Sequence, residues 1–446
     1  MTSRTTTRDR PGHAGPLLRL AGPLAVTQLA QVAMGTTDTI FLGTLGADAL
    51  AAGGLSTTMF ITVLVVLQGV LSGVSVLMAG AIGAGNRAAI PGLYWAGMAL
   101  AGILCVPAFA LFSMAEPLLL LLHEPPALAR NSGAFLDVLR WGLPGGLVGM
   151  GLMRAVLPAL GVGPLLLWVA LPGALLNAGI AWVLIYGAGG WPGYGLVGAA
   201  AATAIEMTGA GLVLLALVHR RQSVQDAVRW QRPEWPTVRA ILAIGLPTAG
   251  IAAVESGLFL AIGLLVATLG PAALAGQQVA LNVVTLSFMV PLAVAQAAHV
   301  RVAGLLGAGV PAEARRAGWV AVWLGTVTEA VPALVVAAVP AVVVGWYLGP
   351  NSAAASAVAI GLLRVAGFQI VDGIQCTAAG ALRGYGDTRT PFLIAAGGYW
   401  VVGFPLAWML SHAGLGALGA WLGLGAGLGV VAVALCWRYR SISRRH

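Results

Sequence analysis

The segment TLGADALA, residues 44–51, returns as TLGPAALA at residues 268–275, and the 224-residue offset between the copies is about half of a 446-residue chain. The same offset lays AGPLAVTQLAQ, with Pro23, over IGLPTAGIAAVE, with Pro247, and AGAIGAG from Ala79 over AGLLGAG from Ala303. Three matches at one offset across some sixty residues mark an internal duplication. Farther along the register drifts by a few residues, and GLVGA at Gly195 resembles GALGA at Gly416. The fold therefore turns on what a single repeat is.

Each repeat is a series of apolar runs. Hydrophobic residues make up 59% of the chain and charged residues 8%, and the mean hydropathy is +0.92. A soluble core of that composition would leave too little polar surface to face water, so the surrounding medium is largely lipid. A helix needs about 20 apolar residues to cross the hydrocarbon. Such runs lie near 18–43, 52–81, 91–115, 134–158, 163–187, 195–219, 239–268, 273–306, 316–345, 353–382, 390–411 and 414–437, which predicts twelve transmembrane helices. The polar stretch HRRQSVQDAVRWQRPEWPTVR, 219–239, divides them six and six. The expected fold is an all-α membrane protein of two pseudo-symmetric six-helix lobes around a central cavity. Its expected divisions are a tail at 1–17, an amino-terminal lobe at 18–219, a linker at 220–238, a carboxyl-terminal lobe at 239–437 and a tail at 438–446. Six is even, so both lobes run the same way through the membrane, the parallel-repeat plan of transporters that hold substrate between their halves.

Arginine sets the expected orientation. All 23 basic residues are arginine, and the formal net charge is +9. With both termini cytoplasmic, twenty of them fall on the inner side and only Arg130, Arg140 and Arg364 on the outer. That asymmetry is the one that keeps positive flanks in the cytoplasm, and it predicts a multi-pass protein of the inner (plasma) membrane, embedded in the lipid bilayer. The polar first residues read as a cytoplasmic tail, since no small-residue cleavage site follows a short apolar core. Arginines scattered singly between apolar runs do not form a nucleic-acid surface. Cys105, Cys376 and Cys436 lie far apart in apolar segments without metal-ligand spacing, and they read as small buried hydrophobes. No cofactor is expected, and the expected state is a monomer.

An ionisable residue inside an apolar run is expensive and marks a pathway or a pairing. Asp38 lies about two thirds of the way along the first span. It reads as a cation or proton site, the plainer alternative being a polar group satisfied by a neighbouring helix. Gln31 stands seven residues before it, two helical turns, and so on the same face. The 224-residue shift sets Glu255, in TAGIAAVESGLFLAIG, opposite Gln31. The first helix of each lobe thus turns polar groups toward the expected cavity. In the tenth span, RVAGFQIVDGIQCTAAGALRGYGDTRTP, Asp372 has Phe368 one turn before it and Gln375 one turn after, a mixed polar and aromatic face. Glu206 and Glu329 also interrupt apolar runs, but nothing near them in the sequence resembles a site, and both are left outside it.

Taken together, MGTTDTIFLGTLGADALAAGGL, VESGLFL, LAGQQVALN, MVPLAVAQAAHVRVAGLLGAG and DGIQCTAAGALRGYGDTRTPF resemble the multidrug and toxic compound extrusion (MATE) family, nearest its NorM-like branch. The similarity runs from about Leu18 to Trp437, and Phe368 to Pro391 is its most specific part. The resemblance implies two six-helix lobes forming a V-shaped cavity. It also implies secondary active export of small organic, mostly cationic, compounds in exchange for Na+ or H+ by alternating access. By motif match it implies a cation or proton coupling set of Asp38, Asn177 and Thr203 in the first lobe and of Glu255 and Asp372 in the second. The substrate cavity it implies includes Gln31, Gln278, Phe368 and Gln375, and any Na+ would sit at Asp38 or between Glu255 and Asp372. Three positions depart from the family pattern. Ala181 stands where a second polar residue is expected one turn after Asn177, Phe368 keeps the ring of a common tyrosine without its phenol, and Gln277 replaces the histidine of AAHQ. Fewer oxygen ligands tilt the expectation toward protons.

Other function classes find little support. The six histidines lie apart, and no nucleotide-binding loop follows a strand, so the chain is expected not to be an enzyme. A flippase for lipid-linked precursors, the alternative within the same superfamily, would need several arginines in the cavity to hold phosphates. Here acids, with almost no arginine, occupy mid-membrane depth. A channel has no need of paired lobes and intramembrane acids, which suit alternating access.

Overall fold

The computed structural model describes residues 12–188, 190, 192–348 and 352–445, and no strand occurs among them. The greater part of the expected amino-terminal tail, residues 1–11, lies outside the described residues. The first lobe consists of α1 (Ala14–Thr44), α2 (Ala47–Gly83), α3 (Ala89–Ser113), α4 (from Pro126–Leu139 to Arg154–Ala159), α5 (Pro164–Tyr186) and α6 (Gly195–Arg220). The second consists of α7 (Trp235–Ala267), α8 (Pro271–Gly307), α9 (Pro311–Ala338), α10 (Ala353–Arg364 and Phe368–Gly384), α11 (from Arg389–Gly397 to Phe404–Leu410) and α12 (Gly416–Ile442).

By length and apolarity, nine helices among the described residues can cross a membrane, or ten when α10, bent by 55°, counts as one span. The shortfall from twelve has two physical causes. In α4 the run LPGGLVGMGLM, rich in glycine, passes through a π-helical segment, Leu147–Met153, and breaks the span. The other cause is that α11 and α12 merge into one 54-residue stretch, Arg389–Ile442. The chain kinks there at Gly414, whose φ is 97°.

The duplicated segment at 44–51 and 268–275 is a turn. Thr44 Oγ1 donates to the Phe41 carbonyl at 2.7 Å and Thr268 Oγ1 to the Leu265 carbonyl at 2.7 Å, closing the ends of α1 and α7 in the same way. Gly46 and Gly270 then take φ of 111° and 107°, a region that residues with a Cβ rarely enter. Each turn sends the next helix back antiparallel.

The lobes meet at the end of the bundle that carries the C-termini of α2 and α8 and the N-terminus of α7. Val76, Ala79, Val300 and Ala303 form a small apolar cluster there, and its members are related by the 224-residue offset. A methyl on Gly83 would stand 2.0 Å from the Gly304 carbonyl oxygen, and one on Gly307 would stand 2.1 Å from that of Gly80. Ser75 and His299, also 224 residues apart, are joined by a hydrogen bond of 2.9 Å between Oγ and Nε2. Equivalent residues that touch one another lie beside a two-fold axis, so the pseudo-symmetry axis passes between α2 and α8. The other bonds between the lobes fall at the same end. Arg154 Nε donates to Gln296 Oε1 at 3.0 Å, and His13 Nε2 bonds Glu313 Oε2 at 2.8 Å. The linker docks on α3, where Trp95 Nε1 donates to the carbonyls of Val228 and Arg229. Among the described residues no hydrogen bond joins the lobes at the opposite end. The cavity is therefore closed at the end bearing these helix termini.

Candidate functional site

In the first lobe, α1 carries four consecutive polar residues, Thr36, Thr37, Asp38 and Thr39. The three threonine hydroxyls bond back to their own helix at Val32, Ala33 and Gly35. Asp38 alone reaches across. Asn177 Nδ2 of α5 donates to its Oδ1 at 3.0 Å and Thr203 Oγ1 of α6 to its Oδ2 at 3.2 Å. The Thr203 hydroxyl also lies 3.3 Å from the Ala199 carbonyl, and with one proton to give it serves one of these acceptors at a time. Asn177 is fully buried, and its Oδ1 has no partner among the described residues. The carboxylate oxygens and this amide oxygen are acceptors that a proton or a small cation would satisfy. Ala181, one turn after Asn177 and fully buried, adds a methyl where an oxygen would have gone.

The same lobe holds a cavity of about 50 Å³, lined by Gln31, Met34, Met150, Arg154, Glu206 and Met207 among others. Gln31 lines this cavity, whereas Asp38, Asn177 and Thr203 are not part of its wall. Glu206 sits there as well, which corrects the reading that it has no site near it: Thr203 and Glu206 are one turn apart on α6, a relation that the helical period already contained. Methionine walls are unbranched and polarizable and fit ligands of varied shape.

In the second lobe the network centres on Gln375 of α10. Its Nε2 donates to Asp372 Oδ1 at 2.8 Å and lies 3.5 Å from Glu255 Oε1 of α7. Its Oε1 accepts from the Tyr399 hydroxyl of α11 at 2.5 Å. Asp372, Gln375 and Tyr399 are buried. Two carboxyl groups that share one amide repel each other when both are charged, and a bound proton or monovalent cation removes that cost. Sequence reasoning missed Tyr399. Its signal was a tyrosine in an apolar run, GGYW, with nothing to say which helix it would meet.

Two further expected cavity residues differ in their surroundings. Phe368 is buried, its ring packing edge-on against Trp421 of α12 with centroids 5.4 Å apart. The bend in α10 just before it turns the ring into the lobe core. Gln278 is exposed and has no hydrogen-bond partner among the described residues, while its neighbour Gln277 is the buried one. No group of three or more metal-ligating side chains occurs among the described residues.

Comparison with known proteins fits this architecture. The chain matches the MatE family at residues 23–183 and 247–409, two segments whose starts are again 224 residues apart. It is 50% identical over 432 residues to the "Probable multidrug resistance protein NorM" of Burkholderia mallei, covering 96% of this chain and 92% of that protein. It is 48% identical over 432 residues to the "Multidrug resistance protein NorM" of Burkholderia vietnamiensis, covering 96% and 94%. A solved structure described as the outward-facing conformation of a multidrug resistance MATE family transporter superposes with a TM-score of 0.90 at 20% identity, covering 100% of this chain and 99% of that one. With two lobes on one axis and a match to both halves, the chain belongs to the MatE family.

Proposed function

We propose that this chain is a secondary active multidrug efflux transporter that exports small organic, mostly cationic, compounds in exchange for H+ or Na+. The observation that carries the reading is the pair of carboxyl networks, Asp38 with Asn177 and Thr203, and Glu255 with Asp372, Gln375 and Tyr399, one in each lobe of a cavity closed at one end. A charged carboxylate in a site of low dielectric attracts either an organic cation or the coupling ion, and binding one lowers its affinity for the other. Relatives named as multidrug resistance proteins support the efflux direction. The arginine asymmetry supports an inner-membrane orientation in which the closed end is cytoplasmic. The chain then faces outward, ready to release substrate and load the ion. A flippase is disfavoured, since one arginine, Arg154, enters the described cavity wall and it already donates to Gln296.

The test uses everted membrane vesicles with a cationic dye in the medium, which faces the cytoplasmic side, and a proton gradient or a sodium gradient imposed separately. Gradient-driven dye movement by the parent supports antiport. Asp38→Asn should insert and fold, since a neutral amide is cheaper in lipid than a charge, yet lose coupled movement. Parental transport by that variant would reduce Asp38 to a structural residue.

A further inference from the structure

Behind the Glu255–Asp372 pair, α9 and α10 approach more closely than side chains allow. A methyl on Gly373 would stand 2.5 Å from the Gly325 carbonyl oxygen and 2.9 Å from Glu329 Cγ. The Glu329 side chain of α9 therefore lies against α10 at the residue that follows Asp372. On α10, Gln369, Gly373 and Thr377 recur every four residues and share one face. Gly373 and Thr377 turn that face to Gly325 of α9, while Asp372 and Gln375 point to Glu255 and Tyr399. One helix thus carries two polar sets back to back.

The set on the α9 side is incomplete. Glu329 and Gln369 are each 1% exposed. Glu329 Oε2 and both amide atoms of Gln369 have no hydrogen-bond partner among the described residues. Ser287 of α8 lies near the Glu329 carboxyl, its own hydroxyl donating to the Val284 carbonyl at 2.9 Å. A buried polar atom left unmet carries its full desolvation penalty. A carboxylate can only accept, whereas its acid form donates one O–H, and Gln369 Oε1 is an acceptor in want of a donor. The Gln369 amide can serve either form, but no cationic side chain pairs with Glu329 among the described residues, so a proton is the partner that holds this carboxyl without a buried charge.

We propose that Glu329, together with Gln369 and Ser287, forms a second, enclosed proton site of the carboxyl-terminal lobe, loaded and emptied during transport and lying back to back with the Glu255–Asp372 site. The proposal rests on the antiport reading. The ionisable groups that face Glu329 are Asp372 and Cys376, both of α10. On the other elements packed against α9 there is little else: α8 has no ionisable residue before His299, Ala353–Arg364 has one at its last residue, and the short helix Pro340–Gly345 has none. The ionisable residues of α9 itself, Glu313, Arg315 and Arg316, lie at its opposite end, and α1 brings Arg19 and Asp38 from the other lobe.

The test is made on the full chain in proteoliposomes and detergent. Calorimetry in buffers of different ionisation enthalpy counts protons released when a cationic dye binds, and dye efflux is followed against pH. Glu329→Gln is expected to fold and bind dye, to release fewer protons per dye by up to about one, and to lose part of the pH dependence of efflux. Glu329→Asp should restore both. Should Glu329→Gln not fold, Gln369→Met, which removes the acceptor, is expected to move the midpoint of the pH profile. A parental proton count and pH profile in Glu329→Gln, or an unmoved midpoint in Gln369→Met, overturns the site. A parent driven by sodium alone, with no proton release, overturns it too while leaving antiport standing. A parent moved by neither gradient instead overturns the antiport reading.

Discussion

Gly245→Ala should act as a wedge. Gly245 of α7 faces α2 at the closed end, and a methyl there would stand 2.0 Å from the Val70 carbonyl oxygen, with the Val70 carbonyl carbon and Cα at 2.7 and 2.9 Å. Ordinary contact begins at 3.4 Å, so the helices must part by about 1.4 Å, and the obstacle is backbone rather than a side chain that can swing aside. Overpacking of this kind costs about 1–3 kcal/mol. The cost falls on the state in which α2 and α7 touch and vanishes when the lobes separate at this end. The equilibrium between the two states should then shift by roughly 5- to 150-fold toward the one open at the helix-terminus end. Leu50 and Leu274, half-exposed and equivalent under the repeat, sit at the start of α2 and α8 on the opposite rim. Spin labels at these positions, in a chain whose three cysteines have been replaced, should report a shorter distance in Gly245→Ala than in the parent. Gly429→Ala, where a methyl meets nothing within 4 Å, is the control and should leave the distance unchanged. A parental distance distribution in Gly245→Ala at normal abundance would refute the reasoning, because it would mean that the α2–α7 contact does not separate the two states.

Three further outcomes follow from particular contacts. Tyr399→Phe removes a buried donor to Gln375 and should lower stability by about 1–3 kcal/mol, read as a lower Tm, together with weaker coupled efflux; no change in either would leave Asp372 alone orienting Gln375. Phe368→Ala empties space beside Trp421 and should cost about 3–5 kcal/mol of stability while the folded fraction keeps parental dye affinity. A large affinity loss at normal stability would return that ring to the cavity. A cysteine at Gln225, in the linker, should resist an impermeant thiol reagent applied outside intact cells, and ready labelling would invert the proposed orientation.

The second lobe shows how far the sequence could be read. Asp372 and Gln375 are three residues apart on one helix, and the helical period alone makes them neighbours. Tyr399, 24 residues beyond Gln375, joins them only because α11, packed on α7 and α12, lets the tyrosine hydroxyl reach α10. The same limit explains Phe368. Its period places it one turn from Asp372, but the 55° bend in α10 and the presence of Trp421 turn it into the core. Glu329 shows the limit from the other side, since it looked solitary until Gly325 and Gly373 brought α9 against the helix of Asp372.

The sequence by itself determined the spans, because lipid forces each crossing into about 20 apolar residues of helix. It determined the two-fold plan, because a duplicated chain folds into duplicated lobes, down to the repeated TLG segments that become the turns at Gly46 and Gly270. It also placed Asp38, Asn177 and Thr203 through family motifs, whose spacing along the chain gives no contact between them. Which faces meet, which end of the cavity closes and which oxygen is left without a partner were decided only by the tertiary structure. Such contacts depend on the rotation and approach of whole helices, and in lipid that approach is set by shape, here by glycines at which one carbon atom would hold two helices apart.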